Sequence, residues 1–464
     1  MSTGQGTQFS LFYGIERGLF EVEGCSTCGC GSEELASGHG SLYTGSINEP
    51  INDPESLVAQ SVSNGLPVLY VAMNYRLNIF GFAVSDALRA NHSLNIGLKD
   101  QRLALEWIRE SISYFGGDPG RVTIFGQSSG IDLRCSNLTF MIYTGLSVAM
   151  QIFAYANITT KPKLFHSAVM QSTSLEPNIT SDISATTFKA VAKLANCSSS
   201  TSSVELECLR ALPFEKLLNV TISQYQSVGV NDAYLPVVDG DFLPLAPSNM
   251  TRRGLFPKMP VIMGWTEDDG TLLMPTSTNS TTDTENYVRQ RWTGLTNSSL
   301  TTLFSLYPSS DFQPGSTNLS AEFYLTWPGS TCYEPPIYHY NQNQTVLSSL
   351  FGPDLRITHL SEIPYVFGFN FWTLAGIRPN ASDVNLHERE SRSWSTFANI
   401  GKPSSPLANR TLEGWAPAYN ASGTRNPAIY VIGGPRAGMM EADSKLMERC
   451  AFLNRDDIIF QLRY

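Results

Sequence analysis

A short apolar run that ends in a tight small-residue turn constrains this chain more than any other feature. Residues 121–125 (RVTIF) have strand length, and Gly126-Gln127-Ser128-Ser129-Gly130 follows without a spacer. In a G-x-S-x-G turn the flanking small residues let the backbone reverse and lift the serine hydroxyl clear of its neighbours. The bare pattern is weak, and the strand placed directly before it gives it weight. Similar apolar runs occur at 67–75 (PVLYVAMNY), 168–171, 261–263, 337–340 and 428–432. Between 98 and 112, Ala104, Ile108 and Ile112 recur at helical spacing with Leu103 and Trp107 beside them, which predicts an amphipathic helix stopped by GGDPG at 116–120. Continuous apolar strands alternating with helices predict an α/β fold: a mostly parallel sheet covered by helices on both faces. Residues 1–40 are Gly-rich, keep neither period, and read as an atypical, poorly ordered segment without an assigned element.

Composition narrows the function classes. The 464 residues carry 41 acidic and 31 basic side chains, a net charge of −10. No whole-protein field therefore attracts a phosphate backbone, and nucleic acid is excluded as a partner. No stretch reaches the roughly 18 apolar residues of a membrane span. Charged residues make up only 16%, below the usual ~25%, so another group must solvate the surface. Fourteen Asn-X-Ser/Thr triplets, from Asn91 to Asn420, use half of the 28 asparagines. Ser and Thr abundance would place roughly five by chance. This excess predicts N-linked glycans and a secreted protein, although residues 1–20 show no signal-peptide pattern. Cys197 and Cys208 flank the polar loop 198–207, short enough to be closed by a disulfide in an oxidising compartment. Cys25, Cys28 and Cys30 supply three ligands without a second cluster, so no metal site is assigned, and no cofactor is expected.

A serine nucleophile needs a positioned base, and the base needs an acid that fixes its tautomer. Of six histidines, His92 lies in a glycosylation triplet, His166 and His339 lie in or beside apolar strand sequence, and His387 lies in the charged run HERESR. His359 sits on a loop before the apolar segment SEIPYVFGF, where a base at a sheet edge belongs. The run 261–263 leads into GWTEDDG, which places Glu267, Asp268 and Asp269 at the C-terminal end of a strand. Spacing alone leaves the choice among the three open. The chain order serine, acid, histidine is that of the α/β-hydrolases.

From about residue 40 to 432 the chain resembles the type-B carboxylesterase/lipase family. The matching pieces are GSLYTGS, VAMNYRLNIFGF, NIGLKDQRLALEWIRESISYFGGDPGRVTIFGQSSG, GLSVAMQ, FHSAVMQS, the Cys197/Cys208 loop, GWTEDDG, HLSEIPYVFG, WSTFANIGKP and WAPAY. The resemblance implies an α/β-hydrolase fold and hydrolysis of small-molecule or lipid esters. It puts Ser128 in the place of the nucleophile, His359 in that of the base and Asp269, before Gly270, in that of the acid. It implies oxyanion donors at Ser129 and, on the turn SGHGSLYTGS, at Gly40 and Ser41, where His39 departs from the usual Gly-rich pattern. Two further departures stand out. Deleting 131–144 restores GQSSGGLSVAMQ, which marks those residues as an insertion in the single domain 41–464. Before Gly40 the family's early strands have no counterpart, so the sheet is expected to be incomplete at the N-terminus.

Overall fold

A computed structural model describes residues 9–14, 42, 51, 53–128, 145–157, 163–173, 178–179, 181–228, 232–273, 275, 278, 280–311, 336–351, 355–406, 410–419 and 427–463. Among the described residues eight strands form one sheet: β1 Phe9–Gly14, β2 Val68–Ala72, β3 Gly117–Gln127, β4 Ser167–Gln171, β5 Val261–Thr266, β6 Ile337–Gln342, β7 Ala428–Ile432 and β8 Gly438–Glu441. Their spatial order is β2-β1-β3-β4-β5-β6-β7-β8. All neighbours run parallel except the last pair.

The apolar runs become strands because both faces of this sheet are covered. Along β3, Val122 and Ile124 enter one hydrophobic cluster and Phe125 the other. β4 divides in the same way, with Ala168 and Met170 on one side and Val169 on the other. In β5, Val261 and Met263 alternate with Ile262. Period-two alternation between two cores yields the continuous apolar runs read from the sequence. Helix Ile96–Ser111 packs Leu98, Leu105 and Ile108 into the first cluster. Helix Ala381–Ile400 closes the other face with Trp394 and Phe397.

Three details differ from the sequence reading. A strand occupies Phe9–Gly14 and pairs with both β2 and β3; FSLFYG is an aromatic, strand-length run whose Gly-rich surroundings hid its period. β3 begins at Gly117, inside the predicted stop signal, since pairing with β1 draws the chain into the sheet early. Leu103 and Trp107 are 66% and 48% exposed and lie off the buried face of their helix. Residues 131–144, His39, Gly40, Ser41, Ser129, Cys25, Cys28, Cys30 and Cys332 lie outside the described residues. Cys197 and Cys208 are joined by a disulfide.

Register fixes the site. Gln127 at the end of β3 faces Gln171 of β4, Gln171 faces Gly264 of β5, and Thr266 faces Gln342 of β6. The C-terminal ends of four adjacent strands are therefore level, and the loops leaving them meet at one rim, where open α/β sheets place their ligands. Gly264 permits the β5–β6 approach: a Cβ there would stand 2.3 Å from both the ring and the carbonyl oxygen of Tyr340.

Candidate active site

Ser128 is the first residue after β3 and has a φ of +69°. A non-glycine residue in this region costs about 1–2 kcal/mol and persists only where its surroundings hold it. Two backbone bonds do so. The Ser128 amide donates to the Gln171 carbonyl at 2.7 Å, and the Leu146 amide donates to the Ser128 carbonyl at 3.1 Å. The second bond joins the serine to the first turn of helix Gly145–Phe153. Gly145 fits there because a Cβ would lie 1.6 Å from Thr173 Oγ1. Strand, strained serine and helix N-terminus thus form a sharp elbow, although fourteen sequence positions, 131–144, separate the G-x-S-x-G pattern from the helix.

The hydroxyl lifted by this elbow meets one histidine. Ser128 Oγ lies 2.9 Å from His359 Nε2, and His359 Nδ1 makes a short contact with Asp269 Oδ1. All three side chains are fully buried. With its carboxylate partner accepting, His359 Nδ1 carries the hydrogen and Nε2 is left as the acceptor facing the serine. The Gln127 amide nitrogen lies 3.4 Å from the same Nε2.

Three adjacent carboxyls emerge from β5, and each goes a different way. Asp269 Oδ2 accepts from the Thr266 amide at 3.2 Å, which aims Oδ1 at the imidazole. Asp268 points to the loop that carries the histidine: its amide donates to the Ile357 carbonyl, its Oδ2 accepts from the Ile357 amide, and Arg356 Nε lies 3.4 Å away. Thr271 Oγ1 adds contacts to the Asp268 and Leu355 carbonyls and to Thr358 Oγ1. Asp268 and Thr271 together seam the loop after β5 to the histidine loop, so the pairing of the two loops holds the Asp269–His359 contact. Glu267 faces Asn341, Asn343 and Arg436, with its pKa raised by burial first and by Asp268 second.

The other described histidines have different roles. His387 is buried: its Nδ1 donates to the Tyr365 carbonyl at 2.9 Å and its Nε2 accepts from Ser56 Oγ at 2.8 Å, tying helix Glu55–Ser63 to helix Ala381–Ile400. His339 is fully buried in β6, and desolvation pushes its pKa down to about 4. His166 is half-buried with its Nδ1 3.4 Å from the Val122 amide. His92 is exposed.

The sequence reading did not single out Gln171, Glu362 and Trp394. Gln171 supplies the carbonyl that holds the Ser128 amide, and its side chain bridges Trp394 Nε1 at 3.1 Å and Glu362 Oε1 at 3.3 Å. A buried polar residue at the C-terminal end of the strand beside the elbow was the available signal.

The model of the "Carboxylesterase family" matches residues 38–442. The chain belongs to the carboxylesterase family. One relative, a secreted lipase of Arthroderma benhamiae, is 37% identical over 92% of this chain and 78% of its own length. Another, the inactive carboxylesterase-like protein VdtD of Byssochlamys spectabilis, is 33% identical over 90% of this chain and 76% of its own. Among solved structures, EstA of Aspergillus niger superposes with a TM-score of 0.75, covering 100% of this chain and 83% of that one at 20% identity, a likeness of fold. The eight-stranded carboxylesterase sheet described above is that α/β-hydrolase fold, with one antiparallel edge pair. Among the described residues no helix is long and apolar enough to cross a membrane, and no group of three or more His, Cys, Asp or Glu side chains is placed to hold a metal ion.

Proposed function

We propose that this carboxylesterase-family chain hydrolyses carboxylic esters through an acyl-enzyme formed on Ser128. The observation that carries the reading is the relay from Ser128 Oγ through His359 to Asp269, with its 2.9 Å serine–imidazole separation. Ser128 attacks the acyl carbon as its proton passes to His359 Nε2. Collapse of the tetrahedral species returns that proton to the leaving alcohol, and water then repeats both steps on the acyl-enzyme. Asp269 holds the tautomer and balances the imidazolium. Backbone N–H groups of Ser129, Gly40 and Ser41 are the oxyanion donors of this reading, each worth on the order of 10²–10³ in rate. Since one relative is a lipase and another carries the name of an inactive protein, resemblance does not choose between active and silent forms. The assembled relay favours the active one.

A fluorophosphonate probe tests the assignment. The folded chain is expected to gain one phosphonyl group, found by mass spectrometry on the peptide that contains Ser128. Absence of labelling, or labelling at another serine, sinks the proposal.

Glycosylation in the secretory route belongs to the same reading. The triplet asparagines Asn91, Asn196, Asn219, Asn249 and Asn297 are exposed, as attachment requires, and two relatives are secreted lipases by name. Treatment of the protein from a eukaryotic secretory host with an amidase specific for N-glycans is expected to lower its mass and convert occupied asparagines to aspartate. An unchanged mass refutes the glycan assignment.

A further inference from the structure

A cavity of about 320 Å³ is lined by none of the three residues of the Ser128–His359–Asp269 relay. Its walls come from helices Asn78–Phe82, Asp86–Ala90, Ile183–Leu194, Ser202–Arg210 and Phe214–Ser227. Ile79, Phe80, Leu88, Phe188, Leu209 and Leu217 make the sides apolar, and the charged lining residues are Arg76 and Arg210. A volume in the range of roughly 300–1,000 Å³, apolar sides and a few placed polar groups are the make-up of a small-molecule site. The walls are also tied to one another. The Cys197–Cys208 disulfide pins helix Ser202–Arg210 between Leu206 and Leu209, and Ser202 Oγ accepts from the Ala87 amide at 3.2 Å. Across the cavity's edge the rings of Phe80 and Phe214 stack with centroids 5.3 Å apart.

The two arginines differ in what they have left to offer. Arg76 Nε and Nη2 donate to the two oxygens of Asp100 at 2.8 and 2.6 Å, and the Arg76 amide donates to the same carboxylate at 3.1 Å. Its fork is occupied and its charge is matched. Arg210 ends helix Ser202–Arg210, is exposed, and has no carboxylate partner among the described residues. A guanidinium fork fits a carboxylate with two parallel hydrogen bonds. We propose that this cavity binds a free alkyl carboxylate of medium chain length, with the tail between the helices and the head group on Arg210. The head group stays at the solvent edge beside an exposed guanidinium, so no charge has to be buried, while the tail gains from the apolar walls in proportion to the area it covers. A cationic head group would be repelled by Arg210, and an acid without a tail would leave the walls uncovered. The site shares no residue with the relay, so it stands or falls apart from the ester-hydrolysis reading.

Calorimetric titration of the full chain with sodium decanoate and with decanol, both below the concentrations at which they aggregate, tests the site. The unmodified chain is expected to bind decanoate and to melt higher in its presence. Arg210→Ala should weaken decanoate about fivefold, the size of a solvent-exposed ion pair, and leave decanol unchanged. Leu217→Trp, which fills the cavity from its side, should abolish binding of both probes and the rise in melting temperature. Decanoate affinity that is unchanged in Arg210→Ala places the carboxylate elsewhere on the protein, the relay included, and overturns the proposal. Equal weakening of decanoate and decanol removes the role given to the charge and overturns it too, as does a Leu217→Trp chain that binds like the unmodified one. Should Leu217→Trp fail to fold, Arg210→Ala decides alone, since that side chain is exposed. Asn91, which starts a glycosylation triplet, lies two residues before the lining residue Ser93. Decanoate binding that appears only after the N-glycans are removed would make a sugar chain the natural occupant, and would overturn the assignment to a carboxylate.

Discussion

Ser128→Ala will lower p-nitrophenyl ester turnover on the order of 10⁶-fold, the usual loss when the nucleophile of a cooperating triad is removed. Among the described residues the Ser128 hydroxyl is the nucleophilic atom that faces His359, at 2.9 Å. The fold should survive, since the elbow is held by backbone bonds from Ser128 to Gln171 and Leu146. Ser128→Gly should be equally inactive yet melt above Ser128→Ala, because a φ of +69° strains alanine and leaves glycine unstrained. Turnover in Ser128→Ala within tenfold of the unmodified chain would show that another group attacks the ester. An alanine variant that melts at or above the glycine one would contradict the strained elbow itself.

The sheet was legible because burial on both faces writes the same signal into each strand. Ile124 and Phe125 are apolar in succession only because consecutive side chains enter different cores. The serine turn was legible for a local reason too, as a reversal at the end of β3 demands small residues. Non-local facts were hidden. The strand Phe9–Gly14 gains its meaning from pairing with β2 and β3, chain segments far along the sequence. Exposure of Leu103 and Trp107 follows from which helix face meets the sheet. The bond from the Leu146 amide to the Ser128 carbonyl crosses an interruption that hides the elbow's continuity. The polar layer of Gln171, Glu362 and Trp394 comes from a strand end, a turn and a helix that sequence spacing does not connect. Buried polar groups of this kind carry no periodicity, and only coordinates bring them together.

Asp269 was the hardest of the three proposed triad positions to separate from its neighbours, and a paired substitution measures how completely the fold separates them. Asp269→Asn is expected to lower kcat about 10⁴-fold. An amide in that place can turn its NH₂ toward Nδ1, which moves the imidazole hydrogen to Nε2 and leaves Ser128 facing a donor. The replacement also removes the charge that balances the imidazolium. Asp268→Asn, one residue away, keeps the backbone bond from its amide to the Ile357 carbonyl and loses chiefly the Arg356 contact. Its kcat should stay within about tenfold of the unmodified chain, because a seam between two loops tolerates a small displacement better than a proton relay does. Steady-state kinetics on the two variants decides the matter. If Asp268→Asn were the more damaging, the carboxylate that serves His359 in solution would be the one now placed in the loop seam, and the short Asp269–His359 contact would lose its role in the reaction.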